Sequence, residues 1–232
     1  MNNSYVTLSV ADGTTMQAYA VLPDNVNENT PAILVFQEAF GVNGHMRRVT
    51  ERFASEGYIA ICPELFHRTA PVGFEGDYNN FAGVMPHYSA LTNETLQADI
   101  TAAYNWLNKQ EGNKARIFSV GYCLGGRVSF LANATVPLAA AVSYYGGGTD
   151  GLLDMADQLS GKHLFFWGGL DTHIPKEAVD KITEALNYAG KPYTNVVFSD
   201  ANHGFNCDER PAFNPAASKE SWALTLEFLK NN

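Results

Sequence analysis

Gly121-Tyr122-Cys123-Leu124-Gly125-Gly126 is the block of this 232-residue chain with the most chemical content. A nucleophile flanked by glycines, after a β-type run (Arg116 to Val120) and before a helical one (Leu124 to Asn133), is the setting of a nucleophile elbow. The turn is so tight that a Cβ at either flank would clash, and it holds the central residue in a strained conformation. Cysteine attacks as the thiolate, and the N-terminus of the following helix favours that negative charge. Two further residues fall in the same kind of place. Asp171 closes Gly168-Gly169-Leu170-Asp171, after the run Lys162 to Trp167, and His203 lies in Ala201-Asn202-His203-Gly204-Phe205, after Tyr193 to Phe198. His203 would take the thiol proton and later activate water, while Asp171 would hold the imidazole tautomer and stabilise the imidazolium. Taken singly, each has a plainer reading: Cys123 as a buried structural thiol, Asp171 as a turn or helix N-cap residue ahead of Pro175, His203 as a loop histidine.

The elements that must position these residues alternate. Tyr5 to Val10 and Met16 to Leu22 are extended runs around Ala11-Asp12-Gly13-Thr14, a hairpin pattern. Ala32-Ile33-Leu34-Val35-Phe36 is a continuous apolar run, as in a strand buried on both faces of a parallel sheet. A helix over Asn43 to Glu56 follows, with Met46, Val49 and Phe53 inward and Gly57 as its stop, and Tyr58 to Cys62 is the next strand. Residues 63–92 have no clear period and read as a long excursion, in which Glu64 and Arg68 are spaced to pair. Asn93 to Gln110 is helical, with Leu96, Ile100, Ala103 and Leu107 on one face. Leu138 to Tyr144 is a further strand, Pro175 sits at the N1 position of a helix that Gly190 ends, and Ala216 to Leu229 is the closing helix. Strand and helix alternate from residue 32 onward. This predicts a single α/β domain over 1–232: a mostly parallel sheet with helices on both faces, led by an antiparallel hairpin, with its site at the carboxyl ends of the strands.

Nucleophile, acid and histidine after successive strands, in that order, is the arrangement of α/β-hydrolases. In that fold one oxyanion-hole N–H follows the nucleophile, here Leu124, and another comes from the loop after the first buried strand, here Ala39 in Gln37-Glu38-Ala39-Phe40-Gly41. Glu38 is a carboxylate at the mouth of that strand, facing a thiol site, and so a further candidate.

Composition narrows the functional classes. Fifteen Lys and Arg against 24 Asp and Glu give a formal net charge of −9, a poor match for nucleic acid or an anionic membrane. The first basic residue is Arg47, so neither a secretory signal nor a mitochondrial transit peptide fits the first 46 residues, and no apolar run reaches membrane-spanning length. Cys62, Cys123 and Cys207 show neither CxxC nor metal-type spacing, and His45, His67, His87, His163 and His173 form no metal-ligand spacing. The expectation is a cytoplasmic protein, a monomer or weak homo-oligomer, needing neither metal nor cofactor.

The sequence resembles the dienelactone hydrolase family. The resemblance rests on Gln37-Glu38-Ala39-Phe40-Gly41-Val42-Asn43, Pro63-Glu64-Leu65-Phe66-His67-Arg68, Gly121 to Gly126, Gly168 to Asp171, His203-Gly204-Phe205, and Arg210-Pro211-Ala212-Phe213 with Ala216-Ala217, in order from about residue 5 to the C-terminus. It implies an α/β-hydrolase fold and a Cys-His-Asp triad that cleaves small lactones or esters without a cofactor. It also implies that Glu38 holds Cys123 as a neutral thiol until a substrate carboxylate arrives, and that Tyr144 lines the pocket. Phe40, Phe81 and Tyr88 join it as candidate substrate contacts, with core or lid packing as the alternative. One departure stands out. The family grips the substrate carboxylate with two arginines, one in the excursion and one four residues after the histidine. Here residues 70–108 contain no Arg or Lys, and the second position is Cys207. A neutral or differently charged substrate follows. Two rival readings stay open: a broad carboxylesterase or thioesterase on the same triad, and a non-hydrolytic protein using Cys123 as a sensing thiol.

Overall fold

Asp12 and Gly13 turn the chain back between β1 (Asn2–Ser9) and β2 (Thr15–Leu22). Thr14 donates its N–H and its hydroxyl to the Asp12 carboxylate, and Gly13 takes the positive φ of 85° that the turn needs. The computed structural model describes residues 1–110 and 116–232, and the chain divides into two units, Met1–Phe118 and Ser119–Asn232.

In the first unit the strand order is β1-β2-β4-β3, with β3 at Ala32–Phe36 and β4 at Ile59–Pro63. β1 and β4 both run antiparallel to β2, and β3 runs parallel to β4. Every residue of β3 and β4 is buried, as a strand covered on both faces requires. Helix α1 (Gly44–Ser55) starts at Asn43, whose side chain accepts the Met46 N–H, and it buries Met46, Val49 and Phe53. The excursion holds an element that its sequence pattern does not announce, helix α2 (Phe81–Ser89). Only Val84 of α2 is buried, while Phe81 and Met85 are exposed and Pro86 sits inside the helix. An apolar helix without an inward stripe leaves no 3.6-residue signal. Helix α3 (Asn93–Asn108) opens with a reciprocal cap between Thr92 and Thr95 and buries Leu96, Ile100, Ala103 and Leu107. It also buries Asp99, and this corrects the Glu64–Arg68 expectation. The Arg68 guanidinium makes two bonds of 2.9 Å to the Asp99 carboxylate, which His67 Nε2 also meets at 3.0 Å, whereas Glu64 accepts the Gly73 N–H.

The second unit carries β5 (Ile117–Tyr122), whose first two residues end the first unit, then β6 (Ala140–Tyr144), β7 (Lys162–Gly168) and β8 (Tyr193–Phe198), ordered β5-β6-β7-β8. β6, β7 and β8 run parallel. Helices α4 (Leu124–Thr135), α5 (Lys176–Tyr188) and α6 (Pro215–Lys230) alternate with them. Pro175 is the N-cap of α5, one position before the expected N1. Between β6 and β7 the chain makes two short 3-10 helices, Thr149–Gly151 and Leu153–Gln158, where the sequence shows no periodic run. The fold is of the expected α/β class, with parallel pairings in both units and an antiparallel start. Among the described residues no helix is long and apolar enough to cross a membrane.

Candidate active site

β5 ends at Tyr122 and α4 begins at Leu124, so Cys123 forms the whole junction. Its φ of 56° and ψ of −116° are a conformation that L-residues adopt only under constraint. The glycines explain how the turn is reached: a Cβ at Gly121 would overlap the Gly125 carbonyl, and one at Gly126 would lie 2.7 Å from Gly146 Cα. Cys123 N–H donates to the Tyr144 carbonyl at 3.0 Å, which pins the junction to the end of β6. Leu124 N–H is the first of the helix, a position whose N–H has no partner within the helix.

β7 and β8 deliver the other two residues from their carboxyl ends. His203 Nε2 lies 3.2 Å from Cys123 Sγ, and His203 Nδ1 lies 2.8 Å from Asp171 Oδ2. The remaining Asp171 oxygen, Oδ1, accepts the backbone N–H of His173 at 2.8 Å and of Ile174 at 3.2 Å. One Asp171 oxygen thus closes the turn and the other meets the His203 ring. Burial works against ionising Asp171, but the His203 ring and the two backbone donors outweigh it and hold the carboxyl below its ordinary range. Burial likewise opposes charge on His203, yet the hydrogen bonds to Asp171 and Cys123 push its pKa up to about 10. The arrangement can pass one proton between sulfur and nitrogen and return it to a leaving group or take another from water.

Glu38 and Ala39 follow β3 in the first unit, and both are fully buried. Gln37 holds this bend from within: its Nε2 donates to the Glu38 carbonyl at 3.2 Å and its Oε1 accepts the Leu65 N–H at 3.1 Å. Phe40, Phe81 and Tyr88 gather in the same unit, Phe81 lying 6.2 Å from Phe40 and 6.3 Å from Tyr88 between ring centroids. Tyr144 corrects its expectation as a pocket residue. It is fully buried, stacked on Tyr122 at 4.6 Å with its hydroxyl 2.7 Å from Thr225, because strand alternation turns it under α6. Its neighbour Tyr145, past the strand end, is the tyrosine beside the histidine, its ring 5.2 Å from His203. His173 also borders His203, edge-on at 5.2 Å, and nothing in the spacing of the histidines points to it. Cys207 is fully buried and brings no cation to the position after His203. None of the three cysteines forms a disulfide, and among the described residues no three His, Cys, Asp or Glu side chains group as metal ligands.

Comparison with known proteins gives the site its context. The model of the dienelactone hydrolase family matches residues 16–232. A protein of Escherichia coli O157:H7, provisionally named a carboxymethylenebutenolidase, is 36% identical over 95% of this chain and 84% of its own length. A carboxymethylenebutenolidase of Pseudomonas sp. strain P51 is 32% identical over 86% of this chain and 84% of its own. A crystal structure from Klebsiella pneumoniae subsp. pneumoniae MGH 78578, provisionally described as a dienelactone hydrolase, superposes with a TM-score of 0.88 at 30% identity and covers all of both chains. A match over nine-tenths of the sequence, carried through both units, means that this chain belongs to the dienelactone hydrolase family and is a hydrolase of the α/β-hydrolase class.

Proposed function

We propose that this chain is a cysteine-dependent hydrolase of small esters or lactones, working through Cys123, His203 and Asp171. The observation that carries the reading is the continuous hydrogen-bonded line from Cys123 Sγ through both nitrogens of His203 to Asp171 Oδ2. The sulfur attacks the substrate carbonyl carbon, and the Leu124 N–H receives the developing oxyanion. Collapse breaks the bond to the alcohol oxygen, which leaves with the proton that His203 carries, and a thioester remains on Cys123. The hydrogen bonds to Asp171 and Cys123 that raise the His203 pKa favour the ring holding that proton. His203 then takes a proton from water, the hydroxide attacks the thioester, and the acid product and the thiol are released.

The family resemblance adds two roles: Ala39 N–H as the second oxyanion donor and Glu38 as the group that governs the ionisation of Cys123. Alkylation of Cys123 across pH, with and without a substrate-like carboxylic acid, tests the second; an acid that makes no difference removes it. The match through both units supports one α/β-hydrolase domain, and three cysteines without a disulfide support a reducing compartment such as the cytoplasm.

A specific observation favours a broad esterase or thioesterase over a lactonase for acidic substrates. Residues 70–108 hold no Arg or Lys, and Cys207 is buried where the resemblance calls for an arginine. The deciding experiment compares hydrolysis of a neutral aryl ester with that of a carboxylate-bearing dienelactone, with Cys123→Ala as control. Turnover of the neutral ester alone identifies an esterase with a redirected pocket. Rapid turnover of the acidic lactone means that other groups replace the arginine pair, and full activity in Cys123→Ala refutes the triad.

A further inference from the structure

Behind the elbow, a line of buried polar groups crosses the second unit from Asn133 to the first turn of α4. His163, Ser143 and Asn133 are all fully buried. Ser143 Oγ lies 2.6 Å from the Gly126 carbonyl and 2.8 Å from His163 Nε2. His163 Nδ1 faces Asn133 Nδ2 at 3.3 Å, and Asn133 also exchanges two bonds of 2.8 Å with Gly161.

Proton counting gives this line a direction. The Gly126 carbonyl can only accept, so the single Ser143 hydroxyl proton goes to it. Ser143 Oγ must then accept from His163, which places the ring proton on Nε2. Nδ1 is left as an acceptor for the second Asn133 N–H, the first being spent on Gly161. Burial pushes the His163 pKa down to about 3, so the ring is neutral throughout the working range and the proton order is not reset by pH. Every donor in the line runs one way, from Asn133 through His163 and Ser143 to Gly126.

That endpoint matters because of what stands beside it. Gly126 N–H donates to the Cys123 carbonyl at 2.9 Å, and Cys123 N–H donates to Tyr144, the residue next to Ser143 on β6. β6 therefore grips the elbow twice, by backbone before the nucleophile's side chain and by the Ser143 hydroxyl three residues later. A residue at φ 56° relaxes unless its neighbours hold it on both sides.

We propose that Ser143 and His163 are positioning residues of the nucleophile elbow: the oriented Ser143 hydroxyl fixes the first turn of α4, and with it Cys123 Sγ and the Leu124 N–H. The inference rests on the hydrolase reading for its catalytic consequence, though not for its geometry. Loss of the Ser143 hydroxyl shifts the sulfur relative to His203 without touching substrate, so it lowers kcat and leaves KM in place. One buried hydrogen bond of this kind corresponds to a fall of about tenfold.

The test compares Ser143→Ala, His163→Leu and His163→Gln for kcat and KM on a neutral aryl ester, for the rate of Cys123 alkylation by iodoacetamide, and for Tm. The glutamine side chain keeps a donor near the Nε2 position and leucine removes it. Ser143→Ala is expected to lose about tenfold in kcat, with KM unchanged and alkylation slowed in step. His163→Gln is expected to stay close to wild type and His163→Leu to fall toward Ser143→Ala. Wild-type kcat and alkylation in Ser143→Ala would overturn the proposal, as would a His163→Gln no better than His163→Leu. If the wild type itself shows no Cys123-dependent turnover, the hydrolase reading fails instead, and the alkylation rates still decide the geometry. Nitrogen NMR of the wild type is independent of every variant: His163 is expected as the neutral ring protonated at Nε2 between about pH 5 and 9, and a proton on Nδ1 would overturn the line.

Discussion

Asp171 meets His203 with one oxygen and closes its own loop with the other. Oδ2 lies 2.8 Å from His203 Nδ1, while Oδ1 accepts the N–H groups of His173 and Ile174 ahead of α5. One carboxylate therefore both fixes the imidazole and builds the turn that presents it, and substitutions can separate the two tasks.

Asp171→Asn keeps an oxygen for the turn and offers an N–H where the ring needs an acceptor. Its kcat should fall by about 10³- to 10⁴-fold through the wrong tautomer, with a small change in Tm. Asp171→Ala loses the turn as well, so its Tm should drop further at a similar kcat. Calorimetry beside steady-state kinetics checks this; equal Tm values for the two variants would show that Oδ1 contributes nothing to the loop.

The elevated His203 pKa has a consequence for stability. The ring's ordinary value of 6.5 rises to about 10 in the folded chain, so between those values the folded form binds more protons than the unfolded one. Its contribution is complete below pH 6.5 and is lost as pH rises through 10. Denaturant unfolding from pH 6 to pH 10.5 should show a decline that His203→Gln flattens. Cys123→Ala should shrink the window, since the sulfur supplies part of the shift.

Gly126 is irreplaceable by contact. An added Cβ would sit 2.7 Å from Gly146 Cα and 2.8 Å from the Tyr144 carbonyl, both backbone atoms that cannot swing aside. Gly126→Ala should cost about 1–3 kcal/mol of stability and push α4 off β6. Loss of activity should then exceed what the unfolded fraction explains, which unfolding curves and active-site titration together measure.

The strain at Cys123 should be recoverable. A non-glycine residue at φ 56° and ψ −116° costs about 1–3 kcal/mol, against about 0.5–1 kcal/mol for the extra freedom of glycine in the unfolded chain. Cys123→Gly should therefore be inactive with a Tm at or above that of wild type, and Cys123→Ala, which keeps the strain, should melt below Cys123→Gly. A Cys123→Gly variant that melts several degrees below wild type would place the strain elsewhere.

What the sequence determines by itself is what periodicity and local sterics encode. The buried run Ala32–Phe36, the helix that follows Cys123 and the strands ahead of Asp171 and His203 are legible because their patterns are local, and the glycines around Cys123 state that a strained junction is intended. Helix α2 is not legible, because it buries one residue and so carries no stripe. Tertiary structure alone decides the distances that make Cys123, His203 and Asp171 a single line across 80 residues of chain. It alone places Tyr145 rather than Tyr144 beside the histidine, since which side of a strand end faces the site depends on register. The same holds for the line from Asn133 through His163 and Ser143 to Gly126: its members come from α4, β7 and β6, and only the packing of those elements gives each proton its acceptor.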